Sequence, residues 1–155
     1  MIGLKLFGAV LLVLAGTAAG QAAARRCQKI AAALQQYRNL LQYIRILALA
    51  GNDSPDEILR KAIRQGSYPE LALSGAAHLR EYRLPPWLPP SAKDLSGVFP
   101  LVGTLQKEEL GQLLTQYDQL ARELEKIAKE NTCKANKLYT KVGMLAGLLL
   151  AVLLL

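Results

Sequence analysis

The sequence predicts an all-α protein held to a membrane by both of its ends, and three observations carry that expectation. Apolar runs occupy the two termini, residues 6–24 and residues 142–155. Cations flank each run on the side facing the middle of the chain: Arg25, Arg26 and Lys29 after the first, and Lys134, Lys137 and Lys141 before the second. Between them, apolar residues recur at spacings of three and four, and no stretch alternates with period two, so helices are expected and no sheet. Together these predict two terminal transmembrane helices flanking a small cytoplasmic antiparallel helical bundle. The cations place the middle segment on the cytoplasmic side. The expected divisions are 6–24, 25–137 and 138–155.

The first run, as a helix of about 19 residues, measures roughly 28 Å, close to the hydrocarbon core of a bilayer. Lys5 can reach back to the headgroups on its apolar stem. Gly16 and Gly20 stand four apart beside Ala15 and Ala19, a small-residue face that would let another helix approach. A cleaved signal peptide is the alternative reading, with an Ala-x-Ala site near residues 22–24. It would export the cationic flanks, against the positive-inside bias. The second run becomes long enough to span when extended back to Leu138, which makes about 18 residues.

The helices between are marked by stripes and caps. Ile30, Leu34, Tyr37, Leu41, Ile44 and Ala48 form one face, and Gly51 is expected to close that helix in the left-handed conformation. Ser54, Pro55 and Glu57 spell a capping box with proline at the first helical position; Gly66 closes the helix that follows. Pro69 and Glu70 open another expected helix, with Leu71, Leu73, Ala76, Ala77 and Leu79 as its apolar positions. Residues 84–90, LPPWLPP, cannot be helix interior, because proline lacks the amide donor. They read either as a stiff connector with Trp87 packed inward or as a polyproline ligand. Ser91 and Asp94 can cap a short helix before Pro100 and Gly103.

Thr104 is expected to cap the longest helix, with Leu110, Leu113, Tyr117, Leu120, Leu124 and Ile127 as its buried heptad stripe. Glu125 with Lys129, and Glu130 with Lys134, make favourable i, i+4 pairs. The two long striped helices are expected to pack antiparallel on each other. A homo-oligomeric coiled coil is the competing use of the stripes.

The formal charge is +7. Six of the cations sit at the membrane roots and the others alternate with acids, so no basic stripe for nucleic acid forms; anionic lipid explains the excess. Cys27 and Cys133 lie near the two roots, and a cytoplasmic setting disfavours a disulfide. One histidine and two cysteines cannot build a zinc centre. Phosphate loops, HExxH and GxSxG are absent. His78, with Glu81 and Glu70 as its expected acidic neighbours, reads as a packed or surface residue. No enzyme, cofactor or metal is expected.

The start LKLFGAVLLVLAGTAAG, the following R-x-x-I-x-x-x-L, the break at Gly51 and Pro55, the segment Val102-Gly103-Thr104 and the ending KVGMLAGLLLAVLLL together resemble the stage III sporulation protein AB family. The resemblance spans the whole chain, and order and spacing carry it rather than any one motif. The family pattern has Leu-Gly-x-x-Leu-Gly before the long helix and an Asp near its start. Here Gly103 matches only the second glycine, and Gln106 stands near the Asp position. Arg45 occupies a place where an acid is expected.

The resemblance implies a membrane-anchored helical bundle similar to the cytoplasmic domain of type II secretion and type IV pilus platform proteins. It implies a place in the transenvelope complex between mother cell and forespore, in the mother-cell membrane. The implied partners are a secretion-type ATPase, stage III sporulation protein AA, and other membrane proteins of the complex. The function expected is therefore a non-enzymatic platform that couples a cytoplasmic motor to envelope components, with the tip between Gly51 and Pro90, farthest from the anchors, as its binding surface. The alternative is a membrane-remodelling or holin-like helical hairpin acting on lipid.

Overall fold

The computed structural model describes residues 2–51 and 53–154. Within the helices, the side chains of residues 2–6, 9, 12, 19, 133, 135, 136, 139, 140, 143, 144 and 146–154 are not described. Two long helices frame the chain: α1, Ile2–Ala50, and α4, Lys107–Leu154. Between them lie α2, Pro55–Gln65, and the short α3, Pro90–Lys93, together with four 3-10 segments, Pro69–Leu71, Leu73–Gly75, Leu79–Glu81 and Asp94–Leu101. The architecture is all-α, with no strand among the described residues.

The chain divides into two compact units, one of Met1–Gln28 with Ala128–Leu155, the other of Lys29–Ile127. In the first unit the small residues Gly20 and Ala24 are buried. Gly16 is half-buried, and a Cβ there would meet no atom within 4 Å. Phe7, Val10, Leu11 and Leu14 are each more than half exposed, as are Leu138, Val142 and Leu145. Thr17 Oγ1 turns back onto the carbonyls of Val13 and Leu14. The six flanking cations Arg25, Arg26, Lys29, Lys134, Lys137 and Lys141 are all exposed.

Among the described residues, no helix is long and apolar enough to cross a membrane. This differs from the spans expected at 6–24 and 138–155. Leu6, Ala9, Leu12 and Ala19 of the first run lie outside the described side chains. Most of the second run, like Cys133, lies outside the described side chains.

The second unit holds the core. On α1 the expected stripe is inside: Leu34, Tyr37, Leu41 and Ile44 are buried, with Leu40 and Ala33 beside them. Gly51 is not left-handed as expected; its amide donates to Leu47 O, while the left-handed glycines are Gly66 and Gly103. Helix α2 starts at the capping box. Glu57 N–H donates to Ser54 Oγ, and Ser54 N–H donates to the Glu57 carboxylate. It buries Ile58, Leu59 and Ala62 and ends at the left-handed Gly66.

The helix expected from Pro69 is not there. Leu71 and Leu73 are both buried, and residues two apart cannot share one helical face. The chain breaks between them at Ala72, which takes a left-handed φ of 50°, and makes two 3-10 turns instead. Leu79 is buried in a third. Ser91 caps nothing: α3 begins at Pro90 without a side-chain cap and runs into the 3-10 segment Asp94–Leu101, which buries Leu95, Ser96, Val98 and Phe99. Phe99 meets Tyr37 and Tyr82 edge-on, at centroid distances of 5.9 and 4.9 Å, the arrangement aromatic quadrupoles favour.

Thr104 is also not a helix cap. Its amide and its Oγ1 both donate to Leu101 O, closing a turn through Gly103. That glycine has a φ of +85°, and a Cβ there would lie 2.6 Å from Pro55 Cγ, so the turn admits no side chain. Helix α4 then starts at Lys107, where Leu110 N–H reaches Gln106 O. Its buried line is Leu110, Leu114 and Ala121 rather than the expected one: Leu120 is 42% and Ile127 53% exposed, and Leu113, Tyr117 and Leu124 are half-buried. The rotation has a physical cause in Arg38, as the next subsection describes.

Candidate functional site

The charged groups of the core unit are deployed in three places. The first lies between α1 and α4. Arg38 Nε donates to Asp118 Oδ1 at 3.0 Å, and its Nη1 to Glu125 Oε2 at 3.1 Å. Asp118 and Glu125 stand two helical turns apart, so one guanidinium spans both. The Glu125 side chain is only 8% exposed, and a carboxylate so enclosed must be paired to stay ionised. The hydrogen bond that Arg38 donates to Asp118 raises the arginine pKa above its already high value, outweighing the loss of water, which lowers it. The clamp turns the 118–125 edge of α4 toward α1, which carries Leu120 and Ile127 outward. The Glu125 carboxylate binds across the helix pair. The signal was present as opposite charges at matched spacing, Arg38 and Arg45 on α1 against Asp118 and Glu125 on α4, each pair seven apart.

Further along the same helix pair an open groove is lined by Arg45, Leu49, Lys107, Glu108, Gly111 and Thr115. Gly111 leaves the groove open, since a Cβ there would stand in contact with Leu49 Cδ1 at 3.6 Å. Lys107 Nζ donates to Leu49 O, a cation at the carbonyl end of the α1 helix. Arg45 is exposed, so the groove presents a guanidinium, an ammonium and a carboxylate to solvent.

The second place joins α2 to the 3-10 turns. His78 Nδ1 lies 2.9 Å from Asp56 Oδ2, and the other Asp56 oxygen accepts from Leu79 N–H. Hydrogen bonding to His78 lowers the Asp56 pKa, and the same bond raises that of His78. The hydrogen-bond partner is Asp56; Glu81, one of the expected acidic neighbours, adds a weaker attraction, and Glu70 pairs with Lys29. Among the described residues no hydroxyl or thiol hydrogen-bonds to this imidazole, so the pair has the base and orienting carboxylate of a triad without a nucleophile. Nearby, Lys61 Nζ reaches Asp53 Oδ2 at 2.6 Å, and that bond raises the lysine pKa.

The third place is around Lys29. Its ammonium is 3.6 Å from Glu70 Oε2 and 4.7 Å from the centre of the Trp87 ring. Glu70 N–H donates to Gln36 Oε1 at 2.9 Å. Residues 70 and 87 are thus held beside the first turns of α1 in this unit. The segment between Gly51 and Pro90 is not a single distal tip.

The sequence-derived residues therefore serve separate ends. Ser54 and Glu57 form a cap, Thr104 closes a turn, and the six flanking cations and Gly16 and Gly20 lie outside these clusters, apart from Lys29. Cys27 is a free, half-buried thiol. Among the described residues no group of three or more His, Cys, Asp or Glu side chains could hold a metal ion. Burial pushes the Tyr37 and Tyr82 hydroxyls up, out of the physiological range; they donate to Leu95 O and Leu71 O and act in packing. No family model matches the chain, and neither a curated protein nor a solved structure does.

Proposed function

We propose that this protein is a non-enzymatic membrane platform. Residues 6–24 and 138–155 anchor it in the bilayer, and the core unit stands in the cytoplasm as a docking body for a motor. One observation carries this reading. Seven large apolar side chains of the terminal unit, from Phe7 to Leu14 and from Leu138 to Leu145, are more than half exposed. Exposed apolar surface on that scale marks contact with lipid or protein. Exposed cations follow or precede both runs, which suits a headgroup boundary with the core unit inside. The resemblance to the stage III sporulation protein AB family adds the setting: the mother-cell membrane around the forespore, and a secretion-type ATPase, stage III sporulation protein AA, as the motor. The charged groove at Arg45 and Lys107 is the docking surface this reading favours.

Two measurements on the full chain in membranes test it. Membranes bearing the protein should retain the ATPase in a pull-down, and Arg45→Glu should weaken the capture about tenfold by reversing one groove charge. Failure of the ATPase to bind would overturn the partner. An impermeant thiol reagent should leave Cys27 and Cys133 unlabelled in intact cells; labelling would overturn the cytoplasmic placement. Vesicles that leak their contents on reconstitution would favour the membrane-remodelling alternative.

A further inference from the structure

The open groove on α1 and α4 carries opposite charges at its two ends. At one end stands Arg45, which also borders a smaller cleft with Gln42, Leu114, Thr115 and Asp118. At the other end stand Glu108 and Lys107, the latter with its ammonium on Leu49 O. Arg45 and Glu108 are both exposed, and among the described residues neither makes an ion pair. Thr115 lines both clefts with Arg45 and is seven residues from Glu108 along α4, so roughly 10 Å separates the two ends.

The middle of the groove is bare. Gly111 falls close to midway between Thr115 and Glu108, so no side chain rises there from α4. What lies beside it is apolar. Leu49 is half-buried, and Ile46, three residues before it on the same side of α1, is 64% exposed. A ligand of one charge sign would be repelled at one end of this surface. A surface with opposite charges about a bare centre is instead complementary to itself. A two-fold axis near Gly111 sets Arg45 of one copy on Glu108 of the other, and Glu108 on Arg45. The same operation brings Lys107 toward Asp118, which is bonded to Arg38 in its own copy. Each of the four charges lining the groove thus finds one of opposite sign.

We propose that this groove is an interface with a second copy of the chain, paired about Gly111 through reciprocal Arg45–Glu108 ion pairs, with Ile46 and Leu49 supplying apolar contact. It concerns the groove named above as a docking surface but rests on the geometry of the core unit alone, so a failed capture of the ATPase leaves it standing. Its consequence is that a second copy and a motor exclude one another from the groove.

Sedimentation equilibrium of the full chain in density-matched detergent micelles reads the dimer. The unaltered chain is expected to dimerise reversibly. Arg45→Glu and Glu108→Arg, each alone, set like charges against each other twice in every dimer and should weaken it about tenfold. Arg45→Glu combined with Glu108→Arg exchanges the signs in both copies and should return the dissociation constant to within about threefold of its starting value. That recovery separates lost pairing from lost fold. A chain that stays monomeric at all concentrations overturns the interface and leaves the groove to a different protein. A dimer that neither single variant weakens lies on another surface, such as the outward edge of α4, and overturns it as well. So does a dimer that both single variants weaken and the double variant does not restore, because a two-fold pair requires that restoration.

Discussion

The two long helices of the core unit and the irregular chain between Gly66 and Gln106 bury comparable apolar residues by different means. Along α1 and α4 every interior backbone group is satisfied within the helix, so side chains are free to pack. Between them the backbone makes 3-10 segments and the one-turn helix α3, and several of its other polar groups are met by side chains eleven or more positions away. Tyr37 Oη donates to Leu95 O, Tyr82 Oη to Leu71 O, Leu84 N–H to Ser96 Oγ, Glu70 N–H to Gln36 Oε1 and Leu79 N–H to Asp56 Oδ1. Helix packing should thus fail gradually with lost volume. The irregular region should fail at single polar atoms, since a buried carbonyl without a donor costs more than the bond itself contributes.

The largest expected effect tests the helical side of that contrast. Leu114 is 2% exposed and Leu120 42%, although the heptad reading places Leu120 inside. Leu114→Ala should destabilise the core unit by about 2–5 kcal/mol. Leu120→Ala should change stability by no more than about 0.5 kcal/mol. Urea unfolding of the full chain in detergent micelles, followed by far-ultraviolet circular dichroism, separates the two. Equal losses would mean that the outward edge of α4 is covered by another copy, as the coiled-coil use of the stripe requires.

Next in size is the irregular side. Tyr37 is wholly buried, and its hydroxyl is the donor given to Leu95 O at 2.8 Å. Tyr37→Phe keeps the ring against Phe99 and removes only that donor. The expected loss is about 1–3 kcal/mol, the cost of an unsatisfied buried carbonyl. A loss near zero would show that water reaches Leu95 O and that the segment is less tightly closed than its hydrogen bonds imply.

This contrast also explains what could be read from the sequence. The α1 stripe and the Ser54–Glu57 cap were legible because each is set by residues within two turns of one another. The line of α4 was read partly off its mark: Leu110 is buried and Leu113, Tyr117 and Leu124 pack against the core, while Leu120 and Ile127 face outward. Its apolar residues fit two heptad lines, and Arg38, about eighty positions away, decides between them by drawing in Asp118 and Glu125. The chain from Pro69 to Glu81 was read as helix because its leucines carry no mark of the 3-10 turns they make. Those turns are met by groups from elsewhere: Tyr82 Oη donates to Leu71 O, Glu70 N–H donates to Gln36 Oε1 and Leu79 N–H to Asp56 Oδ1. The cationic roots were plain in the sequence. The return of Trp87 and Glu70 to Lys29 was not, since nothing local links residue 29 to residue 87.

The smallest expected effect is the pH response of the pair that ties the 3-10 turns to α2. The raised pKa of His78 and the lowered pKa of Asp56 share their largest cause, the hydrogen bond between them; the bond from Leu79 N–H lowers Asp56 further. A raised histidine pKa contributes stability that is fully present below the ordinary value of 6.5 and is lost as pH rises through the folded value. A lowered carboxyl pKa contributes stability present above the ordinary 3.8 and lost as pH falls through the folded value. The pair should therefore support α2 most strongly between those two ordinary values and weaken toward neutral pH and above. Since the chain has one histidine, the imidazole Cε1 proton resonance titrates without overlap. It should report a midpoint above 6.5 in the intact chain, and Asp56→Asn should lower that midpoint. A midpoint unchanged by Asp56→Asn would detach His78 from α2. The 3-10 turn at Leu79–Glu81 would then be held by the burial of Leu79 and the bond from Leu79 N–H, with the imidazole contributing nothing to that turn.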